Sequence, residues 1–216
     1  MPTWKEIMFT FSALSITLPE IFSQTLLEVF GYQLTLLELL ATIASLIGVS
    51  LGVIGARITW PWWVSGSVLY GLLFWQWELY ASALLQIVFI LAGIWGWFGW
   101  GPRGAEPSKL KTSERMLWLF AVVSLWVVLT PLFSNLGAAA TTLDTFILVG
   151  SLIAQILMVL EKYEAWIIWF VVDVVGTIHY WRQDLWFTSL LYAVFTIVAI
   201  FGFKRWLRES YARSTT

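Results

Sequence analysis

The sequence predicts an all-α integral membrane protein of seven transmembrane helices, arranged as two parallel three-helix bundles joined by a linker helix. Three observations predict it: seven apolar runs of membrane-spanning length, a one-sided distribution of Lys and Arg, and a gapless internal repeat. Of the 216 residues, 60% are hydrophobic and 12% charged, against roughly 45–50% and about 25% in soluble domains. A single globular core of this size cannot hide that much apolar surface. A bilayer can.

The runs are Leu36–Ile54, Trp60–Trp75, Leu79–Trp100, Met116–Phe133, Leu143–Leu160, Ala165–Trp181 and Leu185–Phe203. Each covers about 16–22 residues, close to the ~20 that a helix needs to cross ~30 Å of hydrocarbon. The second is short and holds Gly66 and Gly71. None alternates with a period of two, which excludes a closed β-barrel. Ahead of them, Trp4–Phe30 is apolar but carries Lys5 and Glu6 near its start and is broken at Pro19-Glu20. It has no cleavage site of small residues and reads as an interfacial or partly inserted segment.

Charge orients the spans. Lys5 and Arg182 fall on one side, and the other ten of the 12 Lys and Arg residues fall on the opposite side. By the positive-inside rule the N-terminus is outside and the C-terminus cytoplasmic.

A shift of 106 residues lays Glu38–Trp100 on Asp144–Trp206 without a gap. Ser45-Leu46-Ile47 falls on Ser151-Leu152-Ile153, Trp60 and Trp63 on Trp166 and Trp169, and Trp75 on Trp181. Gln86 meets Tyr192, Gly96 meets Gly202 and Trp100 meets Trp206. Apolar helices match by chance at Leu and Val, but not at four tryptophans in register. Three spans per repeat is an odd number, so Met116–Phe133 restores the direction and makes the repeats parallel. The chain therefore divides into an interfacial segment (1–33), a first repeat (34–103), a loop and linker helix (104–141), a second repeat (142–207) and a cytoplasmic tail (208–216). Glu38, Glu78, Asp144 and Asp184 open outer helix ends, where a carboxylate meets the positive pole of the helix and stays in the headgroup zone. Trp60, Trp100, Trp166 and Trp206 at inner ends, and Trp75 and Trp181 at outer ends, are expected to form the interfacial belts.

Composition also excludes functions. A formal charge of −1 offers nothing to nucleic acid. With no Cys and one His there is no metal-ligand set, and no cofactor motif is present. The GxxxxGK[ST] loop of an ATP-driven machine is missing. Val64-Ser65-Gly66-Ser67 with His179 suggests an intramembrane serine protease only loosely. The repeat puts His179 level with Leu73, about 9 Å along the helix from Ser67. A lone His179 near the outer mouth is expected to be solvated. A channel lacks its ring of charges, and a purely structural subunit remains as a competing class.

Polar residues inside the spans mark the site. Asp173 sits at the middle of the sixth span, where an ionisable group costs ~2.5–3.5 kcal/mol to insert and so faces a wet cavity or a partner. Trp169, Asp173, Thr177 and Tyr180 form one helical stripe. An aromatic wall, a carboxylate and two hydroxyls suit a flat heteroaromatic ring, and a cationic ring gains from both π-stacking and charge. Gln86, Gln155 and Tyr192 offer further hydrogen bonds at depth, and Ser67, with Ser45, Ser50 and Ser65, lines a path.

The stretches Trp75–Gln86 (WQWELYASALLQ), Gly93–Trp100 (GIWGWFGW) and Trp166–Asp173 (WIIWFVVD) resemble the PnuC family of vitamin transporters, relatives of the SWEET sugar carriers. The resemblance runs from about Leu34 to Trp206. It implies the 3+1+3 fold, residence in the plasma (inner) membrane, homotrimers, and facilitated diffusion of nicotinamide riboside trapped by phosphorylation inside the cell. Related branches carry thiamine or riboflavin. Asp173 stands where the nicotinamide riboside branch has Asn, and that branch has a further Asn near what is here Gly66 in span two. The Asp form, in VVDVVG, is closer to the thiamine and riboflavin branches. Gln86 matches the nicotinamide riboside and riboflavin types.

Overall fold

The computed structural model describes residues 20–29, 31–76, 80–135, 142–183 and 186–214. Seven long helices dominate them: α1 (Leu36–Val53), α2 (Thr59–Gln76), α3 (Tyr80–Gly99), α4 (Thr112–Asn135), α5 (Thr142–Val159), α6 (Glu164–Arg182) and α7 (Trp186–Ser214). They match the seven apolar runs to within a few residues, except that α7 continues past Phe203. Its extension, KRWLRESYARS, is rich in good helix formers and carries an Arg205–Glu209 pair at 2.9 Å. Part of the segment expected to lie at the interface is a helical turn, Glu20–Ser23, followed by an antiparallel hairpin of β1 (Thr25–Val29) and β2 (Tyr32–Thr35). Gly31, at φ 81°, takes the left-handed conformation of the turn. Thr35 then caps α1 by accepting from the Glu38 amide.

Five helices are long and apolar enough to cross a membrane by length and composition; α2 and α6 are not among them. Those two are repeat mates and the middle helices of their groups. α2 packs between α1 and α3, and α6 between α5 and α7. The groups meet through α1 on α7 and α3 on α5, which are again repeat-equivalent pairs, while α4 leans on α5. The two middle helices thus have a helix of their own group on each side, and of the five apolar spans α5 is the most buried and α4 the most exposed. Arg57 folds back on α3, donating to the Trp97 carbonyl at 2.7 Å and lying 4.2 Å from its ring.

The four inner-end tryptophans are not lipid-facing anchors. Trp60, Trp100, Trp166 and Trp206 are fully buried and touch in sequence around the centre of the molecule. Trp60 fills the space over Gly96, and its mate Trp166 fills the space over Gly202. A Cβ at either glycine would collide with the indole, so the sequence match at 96 and 202 is a packing requirement. The Trp100 indole donates to the Val159 carbonyl at 3.3 Å, and the Trp206 indole to the Gly52 carbonyl at 3.1 Å. Each repeat thus pins the other. Of the outer tryptophans, Trp181 is exposed as expected and packs edge-on against Trp186.

The loop after α3 straps this inner end. The Ala105 amide donates to the Gly55 carbonyl, and the Ser108 amide to the Glu161 carbonyl. Gly55 and Glu161 are equivalent under the 106-residue shift, and both have positive φ (67° and 58°). Glu164 fastens the strap further: its Oε1 accepts from the Leu110 amide and from Arg115 at 2.7–3.1 Å.

At the opposite end, the carboxylates expected in the headgroup zone are partnered. Tyr32 donates to Glu38 and stacks on Phe187 of α7, tying the hairpin to both repeats. His179 is not solvated: it is 5% exposed and bonds Asp144 at 2.8 Å and Gln183 at 2.9 Å. Its partner lies 35 residues earlier in the chain. Glu78 and Asp184 lie outside the described residues.

Candidate substrate site

The middle helices α2 and α6 approach each other through side chains. Trp63 and Trp169, equivalent residues of the two repeats, face one another with ring centroids 5.9 Å apart and planes tilted by 45°. Trp63 also packs on Trp60 of the inner tryptophan cluster, with centroids 6.1 Å apart. One helical turn further along each helix come Ser67 and Asp173, again repeat mates, at 5% and 4% exposure. Equivalent positions of the two repeats therefore carry a hydroxyl in one and a carboxylate in the other. Among the described residues no cation pairs with Asp173.

Beyond them, α6 and α7 supply a tyrosine pair. Tyr192 occupies the space over Gly176, where a Cβ would meet its ring. Tyr180 and Tyr192 have centroids 5.1 Å apart. Asp173, Tyr180 and Tyr70 of α2 are all near enough to the Tyr192 phenol to interact with it electrostatically. Tyr70 is held from the first repeat by a 3.0 Å hydrogen bond to Thr42. Thr177 lies on the stripe, but its hydroxyl donates to the Asp173 carbonyl and stiffens the helix there. Ser189 of α7 donates to the Thr177 carbonyl and locks the two helices in register.

Of the expected site residues, Trp169, Asp173, Thr177 and Tyr180 follow one stripe of α6, which Tyr192 of α7 meets at Gly176 and Tyr180, while Ser67 is buried on α2 at the position equivalent to Asp173. Gln86, the repeat mate of Tyr192, is buried on α3 against Gly71, one residue on from the mate of Gly176. Gln155 stands apart, on α5 and nearer the inner end. Ser45 packs on Gly66, whereas Ser50 and Ser65 are exposed on the outside of their helices, and Ser65 donates to the Pro61 carbonyl. Trp63 and Tyr70 were not anticipated. The repeat carried the signal for Trp63, since the 106-residue shift lays it on Trp169. Tyr70 has Gly176 as its mate and left no such trace. Among the described residues the lining is aromatic, neutral-polar and singly acidic, and His179 bonds Asp144 and Gln183, not Ser67.

Comparison with known proteins agrees with this geometry. The family model described as nicotinamide mononucleotide transporter matches residues 35–208. The nicotinamide riboside transporter PnuC of Escherichia coli (strain K12) is 26% identical over 216 aligned positions, covering 86% of this chain and 90% of that one. The riboflavin/roseoflavin transporter RibM of Streptomyces davaonensis is also 26% identical, over 80% of this chain and 85% of its own. A crystal structure of the vitamin B3 transporter PnuC shares the fold, with a TM-score of 0.71 at 22% identity over 82% of each chain. The chain is a multi-pass membrane transporter and not an enzyme, and it belongs to the nicotinamide mononucleotide transporter family.

Proposed function

We propose that the chain carries nicotinamide riboside across the inner membrane by facilitated diffusion, with phosphorylation inside the cell trapping the cargo. The observation that carries this reading is the unpaired carboxylate of Asp173, one turn above facing Trp63 and Trp169. Nicotinamide riboside has a flat pyridinium ring with a fixed positive charge. Such a ring gains from an indole face and from a carboxylate in a water-poor site, and Asp173 gains the counter-charge that its position lacks. Ser67, Thr177, Tyr180, Tyr192 and Gln86 surround the ribose and the ring edge. The seven helices work as a 3+1+3 unit with the N-terminus outside, the two repeats rocking about the Trp63–Trp169 axis. The native assembly is a homotrimer embedded in lipid.

Riboflavin is the second reading, favoured by the similarity to RibM, which has the same identity as the Escherichia coli relative over a shorter alignment. Its isoalloxazine is flat but uncharged and leaves Asp173 without a counter-ion. Thermal-shift measurements with nicotinamide riboside, thiamine and riboflavin separate these readings; the largest stabilisation is expected from nicotinamide riboside. In proteoliposomes, uptake is expected with neither ATP nor an imposed ion gradient, and it stops when concentrations equalise. Accumulation driven by a pH gradient would overturn facilitated diffusion and make Asp173 a proton carrier.

A further inference from the structure

Gln155 has no role in the site just described, yet it is the most deeply buried polar side chain whose hydrogen-bonding atoms are all unmet. It is 0% exposed, and neither its Oε1 nor its Nε2 meets a partner. Buried amides are nearly always paired, and a Leu or Met here would remove the penalty at no loss of packing. Its surroundings repeat the pattern. The indole N–H groups of Trp169, Trp166 and Trp60 are likewise buried without acceptors. Met158 and Val159, which share the face of Gln155 on α5 at three and four residues further on, belong to one apolar core with Trp60 and Trp166, and Trp169 lies against that core.

Register fixes the depth. Gly150 of α5 packs on Val172 of α6, and the two helices run antiparallel through a short loop. Five residues further along α5, Gln155 lies about 7.5 Å deeper, level with the α6 turn from Trp166 to Trp169. It is therefore on the inner side of the Trp63–Trp169 pair, whereas Asp173 is on the outer side.

We propose that Gln155, with the indole N–H of Trp169, forms a second binding station for the cargo, one that takes a primary carboxamide as the ring passes the Trp63–Trp169 pair. A carboxamide matches both free atoms of Gln155: its N–H donates to Oε1 and its oxygen accepts from Nε2. The Trp169 N–H is then free for the second lone pair of that oxygen. Nicotinamide riboside carries this group, so the station rests on the substrate reading above and extends it. It divides the labour along the path: the outer level reads the ring's charge, and the inner level reads its amide.

The test compares binding with crossing. Gln155→Leu and Gln155→Met are expected to raise the melting temperature and to leave the equilibrium Kd for nicotinamide riboside within about twofold, while flux in proteoliposomes falls roughly tenfold, as when a site built for a hydrogen bond loses it. In unaltered protein, a pyridinium riboside lacking the carboxamide is expected to cross roughly tenfold more slowly than nicotinamide riboside. Wild-type flux in either stable variant overturns the station, and so does equal crossing of the two ribosides by unaltered protein. The second comparison needs no variant to fold. Unaltered protein that carries neither compound overturns the substrate reading itself, a result distinct from carrying both equally.

Discussion

Asp173 and Ser67 occupy equivalent positions, so the site's charge arises where the two repeats differ by a single side chain. Asp173→Asn keeps the shape and removes the charge. A hydrogen bond or close pairing to a charged group contributes ~1.5–3 kcal/mol, so Kd for nicotinamide riboside measured by calorimetry should rise roughly ten- to a hundredfold. An unchanged Kd for every ligand that binds would show that Asp173 only supports the fold. Asp173 was legible in the sequence because hydrocarbon at mid-span makes a carboxylate conspicuous. His179 was not legible: its partner Asp144 stands on another helix, and nothing in a linear chain pairs residues 35 positions apart. The tryptophans misled for a different reason. Belts are where indoles gather on average, but a glycine at 96 or 202 opens a socket in which an indole is worth more as packing.

Helices α2 and α6 show why the weakest hydropathic segments hold the function. Being central, they exchange lipid contact for contact with other helices, and so tolerate Ser67, Tyr70, Asp173 and Thr177. Periodicity and charge located both helices in the sequence. The strap from Gly101 to Lys111 could not be located in the same way, because its bonds run from backbone to backbone and have no residue signature. Side chains fasten it as well: Lys162 donates to Ser108, Arg213 pairs with Glu106, and Glu164 is buried and accepts three donor atoms on one oxygen. Glu164→Gln replaces a charge-assisted set with neutral bonds. Because Arg115 is nearly half exposed, solvent screening brings the loss down to about 1 kcal/mol. A melting temperature lowered by a few degrees in detergent is expected, with substrate Kd unaltered. No change would mean that the backbone bonds of the strap suffice.

At the scale of the whole molecule, the one-sided placement of Lys and Arg predicts how the protein sits. The chain has no Cys, so single introduced thiols report topology without background. Gly137→Cys should react with an impermeant maleimide added outside intact cells, and Thr216→Cys only after lysis; the reverse pattern would overturn the seven-span count and the parallel repeat. The repeat itself was readable from the sequence alone, while the exchange of indole hydrogen bonds between its halves needed coordinates. That exchange has a bearing on biogenesis. Gly52 belongs to the first of the seven long helices, yet Trp206, whose indole donates to its carbonyl, is on the last. Until α7 emerges from the ribosome and enters the bilayer, that carbonyl has only local backbone bonds, among them the one from the Gly55 amide, and the first bundle lacks half of its inner seal. Neither half of the gene encodes a finished structure, so duplication produced an obligate pair and not two tandem domains.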